Sequence, residues 1–295
     1  MIEALDHGWL KAHPLPRAES TDDKNDRGRV LLVGGGAFVP GALRLTAEAV
    51  LRVGAGKLQM ATVASAAMAL GVLVPEAAMI ALPADGSGEI AAEAADHIAD
   101  LIARCDTLIL GPGMIEGEGT VELVTRALAN PRGDCAILLD AAAISCAGNL
   151  GPAIAKHQGR VVLTPHHGEM AALTGHPRDH VADDPTTIAQ EVADRFGAVV
   201  VLKAARTIIT APGEAPLIHA SLCPGLATGG SGDVLAGAIG GLLARGVVPR
   251  DAAAWGVWLH GAAGRIAADK IGPIGFLARD LPPELPGLLA DSFSI

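Results

Sequence analysis

The chain repeats a three-part pattern. A short unbroken apolar run is followed by a turn of glycines or polar residues. A longer stretch with apolar residues at helical spacing then follows. The apolar runs predict strands at Arg29–Val33, Lys57–Val63, Ala78–Leu82, Thr107–Leu110, Ala136–Leu139, Val161–Leu163 and 198–202. The spaced stretches predict helices over 41–53, 64–70, 90–103, 121–128 and 188–196. In the first of these, Leu43, Ala47, Val50 and Leu51 share one face. Strands that are apolar at every position belong to a sheet covered on both faces, so the pattern predicts an α/β fold with a mainly parallel sheet.

The rhythm changes after residue 203. Two short runs, Arg206–Thr210 and 216–219, flank Ala211-Pro212-Gly213-Glu214 and predict a β-hairpin at the sheet edge. Helices over 233–245 and about 250–270 follow, with Trp255 and Trp258 on a shared side of the second. Residues 1–28 are polar and Pro-containing, which suits an arm or loop. With no linker, repeat or shift of composition beyond them, 29–295 reads as a single domain.

Polar and glycine residues gather where strands end: Gly34-Gly35-Gly36, Gly111-Pro112-Gly113, Asp140, Thr164-Pro165-His166 and Lys203. Ligands of open α/β sheets bind at that edge. The first glycine cluster does not continue as a dinucleotide fingerprint, since Val39 stands where G-x-G-x-x-G needs its last glycine, and no P-loop motif occurs.

The densest cluster is Thr228-Gly229-Gly230-Ser231-Gly232-Asp233, directly before an apolar helical run. Glycine-lined turns and helix N-termini present unpaired N–H groups to an anion. A cap alone would explain Asp233 but not the three glycines crowding it. Phosphoryl transfer needs charge neutralisation at the phosphate and a base beside the attacking hydroxyl. The amides of Gly230, Ser231 and Gly232 suit the first need, and the Asp233 carboxylate suits the second.

Composition narrows the partners. The net charge is −10 over 295 residues and Tyr is absent, which disfavours nucleic-acid binding by field or by stacking. A bound phosphate compound must therefore be held by a local site. The N-terminus has acidic residues where a signal peptide would be basic, and no uninterrupted apolar run reaches spanning length. These features fit a cytoplasmic protein with no membrane partner. Cys105, Cys135, Cys146 and Cys223 form no C-x-x-C pair and read as free thiols.

The 228–233 segment resembles the anion-hole and base signature of ribokinase-like proteins. Within that superfamily the chain resembles the ADP/ATP-dependent NAD(P)H-hydrate dehydratases, from about residue 24 to 270. The supporting segments stand in order: Gly28-Arg-Val-Leu-Leu-Val-Gly-Gly, Pro40-Gly41-Ala42, Arg52-Val-Gly-Ala-Gly, Pro75-Glu76 and Gly111-Pro112-Gly113. They continue with Leu139-Asp140-Ala141, Leu163-Thr-Pro-His-His-Gly-Glu169, Val200-Val-Leu-Lys203 and Leu259-His260-Gly261. The resemblance implies a ribokinase-like three-layer α/β/α sandwich and dehydration of the S-hydrate of NADH or NADPH, driven by ADP or ATP with Mg²⁺. It implies that Ala42, Gly113, His166 and Asp233 contact the hydrated dinucleotide. Lys203, Ala204, Ala205, Arg206, Thr207 and Gly232 would hold the adenosine nucleotide. No residue is assigned as a metal ligand. It also implies a homo-oligomer, with a tetramer among the candidates, and an epimerase partner on a separate chain.

Read from the residues alone, Lys203 suits a phosphate as a point charge. Glu169, three residues past His166, suits either the site or a cap for the next helix. His167 has no motif support and is expected at the surface. The chain departs from the family pattern at Asn25, at Ala142 where a second carboxylate is usual, and at Ala204. It departs also at His219-Ala-Ser-Leu222 and at Val39-Pro40, where an aromatic is usual. Two alternatives stay open: a vitamin-precursor or sugar kinase of the same superfamily, and a nucleotide-binding regulatory protein with little turnover.

Overall fold

The computed structural model describes residues 2–17 and 23–292. Ten strands form one sheet. They are β1 (Glu3–Ala4), β2 (Arg29–Val33), β3 (Lys57–Val63), β4 (Ala78–Leu82), β5 (Thr107–Leu110), β6 (Ala136–Leu139), β7 (Val161–Leu163), β8 (Val199–Leu202), β9 (Arg206–Thr210) and β10 (Leu217–Ala220). Their spatial order is β1-β10-β9-β8-β7-β6-β5-β2-β3-β4, and β9 alone runs against the rest. The chain moves outward from β2 to β4, then returns to place β5 on the other side of β2. This reversal opens a crevice between the C-terminal ends of β2 and β5.

The predicted strands appear within a residue or two of their expected bounds, and β9 and β10 form the expected antiparallel hairpin. Strands β5 to β8 are buried along nearly their whole length, because helices cover both faces. The Gly41–Arg52 helix packs closely on the Ser231–Ala244 helix. A side chain on Gly237 would meet the Thr46 carbonyl at 2.2 Å, and one on Gly241 would meet Val53 at 2.3 Å. Small residues let the two backbones approach to this distance. The Pro249–Ile271 helix is likewise buried over most of its length, and Trp255 and Trp258 meet edge to face with centroids 5.8 Å apart. These two helices therefore spend their apolar faces within the chain. The apolar side chains left outside include Met68, Val72 and Leu73 on the Ala64–Leu73 helix.

Three expectations need correction. The first 28 residues are not a loose arm over the part described. β1 pairs in parallel with β10, and a short helix, His7–Ala12, buries Trp9 and Leu10. Trp255 Nε1 donates to the His13 carbonyl at 2.7 Å, and Arg245 donates to the Pro16 carbonyl at 2.8 Å. Leu10 is 1% exposed. Leu10→Ala is accordingly expected to cost about 2–5 kcal/mol in a denaturant titration, whereas truncating a free arm would cost nothing. Residues 18–22 of the arm lie outside the described residues. Secondly, the helix expected over 90–103 starts late. Ile90 pairs with Ala84 in an isolated bridge, and the helical path begins as a 3₁₀ turn, Ala92–Ala94, followed by Ala95–Ile102. Thirdly, helices occur that the spacing did not predict, at Ala142–Ser145, Gly151–Ala155, His167–Thr174 and Arg178–Asp183.

All four cysteines are free, as expected. Among the described residues, no helix is long and apolar enough to cross a membrane.

Candidate active site

The reversed strand β9 explains how the glycine loop reaches the ligand edge. β8 ends at that edge with Leu202, β9 runs away from it, and β10 returns to it at Ala220. A 3₁₀ turn, Pro224–Leu226, then feeds the Gly-rich loop. Gly230 takes a left-handed conformation with φ +88°, where any side chain would be strained and would also meet Leu45 at 2.4 Å. The Ser231–Ala244 helix starts directly after it. Its first-turn amides at Gly232 and Asp233 have no intrahelical acceptor and are available to an anion.

Asp140, Lys203, Glu169 and His166 converge beside that turn. Lys203 Nζ lies 2.8 Å from Asp140 Oδ1 and 3.6 Å from Glu169 Oε2. It also stands 3.5 Å from where a Cβ on Gly232 would sit. Asp140 is 2% exposed and accepts a second hydrogen bond from the Thr164 hydroxyl at 2.7 Å. Burial opposes the Lys203 charge, but Asp140 and then Glu169 outweigh it and raise its pKa. The backbone joins the same groups: the Lys203 N–H donates to the Pro165 carbonyl at 2.7 Å, and His166 and Lys203 form a parallel bridge.

Glu169 resolves as a cap. The His166 N–H donates to Glu169 Oε2 at 2.7 Å, and the Glu169 N–H donates to His166 Nδ1 at 2.9 Å. This reciprocal box starts the His167–Thr174 helix with a histidine in the capping role. Because Nδ1 accepts, a neutral His166 carries its proton on Nε2 and can offer it to the cleft. His167, expected at the surface, is the more enclosed of the two. Its ring is half-buried, burial lowers its pKa, and its Nε2 lacks a partner among the described residues.

Asp233 is strongly perturbed. Burial first, and then the neighbouring Asp140 charge, push its carboxyl up to about 7, while Lys203 pulls it down and Glu169 adds to the rise. A carboxylate with a pKa near working pH can take a proton and release it again.

A cleft of about 840 Å³ opens on one side of this cluster. It is lined by His166, Lys203, Ala204, Ala205, Thr207, Ser231 and Gly232 together with apolar residues including Leu226, Leu235 and Val257. Arg206, Gly230 and Asp233 from the expected residues do not line it; Asp233 lies behind Gly232 in the first turn of the helix, and Gly230 faces Leu45 and Ala278. Ala42 and Gly113 lie away from this cleft, at the crevice between β2 and β5. A Cβ on Gly113 would be 2.9 Å from that of Ala42. Gly230, packed on Leu45 of the Gly41–Arg52 helix, stands where the two parts meet.

His260 also lines the cleft, and its Nε2 shares a hydrogen bond of 2.9 Å with the Ser231 hydroxyl. Burial lowers its pKa to about 4, so the ring is neutral. It was visible in the sequence only as part of Leu259-His260-Gly261, with no role attached.

The lining fits a nucleotide: an apolar wall for a base, one lysine and a helix N-terminus for phosphates. Comparison with known proteins identifies the family. A sequence model described as NAD(P)H-hydrate dehydratase matches residues 30–286. The chain belongs to the NAD(P)H-hydrate dehydratase family. An ADP-dependent (S)-NAD(P)H-hydrate dehydratase of Xanthomonas campestris is 45% identical over 95% of this chain and 93% of its own length. The bifunctional NAD(P)H-hydrate repair enzyme of Moorella thermoacetica is 38% identical over 97% of this chain, which spans 53% of that protein. Among solved structures, the ADP/ATP-dependent NAD(P)H-hydrate dehydratase of Bacillus subtilis, co-crystallized with ATP/Mg²⁺, is 27% identical. It superimposes with a TM-score of 0.82 over 98% of both chains. A ribokinase-like superfamily protein of Enterococcus faecalis shares the fold at a TM-score of 0.82 and 24% identity. The expected ribokinase-like α/β architecture is thus that of the family's solved structures.

Proposed function

We propose that this chain dehydrates the S-hydrate of NADH or NADPH at the expense of ADP or ATP, with the dinucleotide in the β2–β5 crevice and the nucleotide in the cleft beside Lys203. The observation that carries this reading is the placement of Asp233, with its carboxyl raised to about 7, at a helix N-terminus beside Lys203. Asp233 takes the proton from the C6 hydroxyl as its oxygen attacks the terminal phosphoryl group. The amides of Gly232 and Asp233 face the charge that develops there. The nucleotide leaves one phosphate shorter, and loss of phosphate from C6 together with a proton from C5 restores the ring double bond. Lys203 draws the phosphates in, and Asp140 holds Lys203 in place.

Among the described residues, no group of three or more metal-ligating side chains occurs. That suits Mg²⁺, which binds largely through phosphate oxygens and water with one or two carboxylates at most. Lys203 already pairs with Asp140 and the helix cap already uses Glu169, so phosphate oxygens and water would chiefly hold the ion, which would neutralise phosphate charge. Ala204, Ala205, Thr207 and Ser231 contribute shape and hydrogen bonds around the nucleotide, with Arg206 at its exposed margin, while His166, at the border of the cleft, would meet the hydrate.

The reading extends to a cytoplasmic homo-oligomer. It also includes an epimerase on a separate chain as functional partner. The kinase alternative differs in keeping its phosphorylated product. The test is a single assay of hydrated NADH with Mg²⁺ and ADP or ATP, following return of the NADH absorbance. Phosphorylated hydrate that accumulates without NADH would favour the kinase, and nucleotide binding without turnover would favour the regulatory protein.

Because Asp233 must be ionised to accept the proton, kcat/KM is expected to rise with pH through about 7. A flat profile from pH 6 to 8 would remove Asp233 from the role of base.

A further inference from the structure

Glu89 and Asp140 are the two carboxylates more than nine-tenths buried among the described residues. Asp140 is matched by Lys203, whereas among the described residues no cation pairs with Glu89 and its charged neighbour is another acid, Asp85. Burial holds the Glu89 carboxyl above the usual range. An enclosed acid of this kind is costly unless its oxygens are used.

The Glu89 oxygens touch both glycine loops that flank the crevice. Oε2 accepts from the Ile115 N–H at 3.2 Å, in the segment that leaves β5 through Gly113. Oε1 lies 2.0 Å from the point that a Cβ on Gly36 would occupy, so it fills the space beneath the loop that leaves β2. The two loops are already joined by the Gly35 N–H to the Pro112 carbonyl and the Gly36 N–H to the Gly113 carbonyl. Glu89 itself is held firmly. Asp85 Oδ1 accepts from the Ser87 N–H, the Ser87 hydroxyl and the Glu89 N–H, and the Ala37 N–H donates to the Gly88 carbonyl. A rigid turn thus wedges one carboxyl group between the ends of β2 and β5.

We propose that Glu89 is a positioning residue for the dinucleotide half of the site. It ties the Ile115 backbone and supports Gly36, and so sets the spacing at Gly113 and Ala42 where the hydrated ring would rest. This rests on the reading of the crevice given above, and it predicts an effect confined to one substrate.

The test compares wild type, Glu89→Ala and Glu89→Gln as full-length chains. Steady-state KM for the hydrate and for the nucleotide, Kd for the hydrate by calorimetry, and melting temperature are measured. Glu89→Ala is expected to raise hydrate KM and Kd about tenfold, while nucleotide KM stays within about twofold. Glu89→Gln keeps an acceptor for the Ile115 N–H and should restore most of the lost affinity. Unchanged hydrate affinity in Glu89→Ala would overturn the proposal. So would a parallel loss for both substrates with a lower melting temperature, which marks a general packing role. A wild-type chain that binds hydrate without turning it over would sink the dehydratase reading, and the calorimetric comparison would still decide Glu89. A wild-type chain that binds no hydrate would end both.

Discussion

Asp233→Asn is expected to lower kcat by about 10²- to 10⁴-fold, the range lost when a positioned general base is removed. Nucleotide affinity should change little, because the amides of the Ser231–Ala244 helix and Lys203 are untouched. The same variant carries a second, opposite signature. Folding raises the Asp233 pKa from 3.8 to about 7, so the folded chain holds that proton more tightly than the unfolded one. The stability this contributes is fully present below pH 3.8 and is lost as pH rises through about 7. Asparagine stays neutral throughout. The variant should therefore melt above wild type at pH 8, with the gap narrowing through pH 5 and closing below about pH 4. A protein that gains stability at pH 8 while losing its turnover is the mark of a functional carboxylate. An inactive variant that also melts lower at pH 8 would point to a structural role for Asp233.

Lys203→Met is expected to be the most destabilising single change in the site. It strips the counter-charge from Asp140, which is 2% exposed, and leaves a buried carboxylate with only the Thr164 hydroxyl. Breaking a buried pair in this way costs about 3 kcal/mol or more. Urea titration would read the loss. Adding Asp140→Asn should return part of it, since the orphaned charge is then gone, without returning activity. Equal stability in Lys203→Met and wild type would mean that solvent reaches the pair and screens it.

The sheet was legible because most strands from β2 to β8 are short aliphatic runs, the pattern of a sheet covered by helices, although β3 carries Lys57, Gln59 and Thr62 and the edge strand β4 is largely exposed. Strand β1 was not, because it is two residues long, exposed and carries Glu3. Only its backbone pairing makes it a strand. The helices missed at Gly151–Ala155 and Arg178–Asp183 are five and six residues long, too short for periodicity to register. The helix expected over 90–103 was overextended because Ile90 fits the helical face yet pairs with Ala84.

The site was legible as a set of strand ends, and the structure does bring Lys203, His166 and the 228–233 loop together. The contacts themselves were not. The ion pair between Asp140 and Lys203 spans 63 residues, and no local pattern encodes it. The capping box at His166 was half legible: Glu169 stood at the spacing of a cap, but histidine is not among the residues usually read as its partner. Glu89 left no signal, since one glutamate in a polar turn looks like any solvated acid until its burial is seen.

The pairing of β1 with β10 bears on how the molecule is made. Leu5 and His219 meet across 214 residues. A ribosome must therefore release most of the chain before this margin of the sheet can form. Until then β10 has β9 on one side and nothing on the other. Closing so large a loop carries an entropic cost that shorter pairings avoid. β1 should thus dock late although it precedes every other strand in the chain.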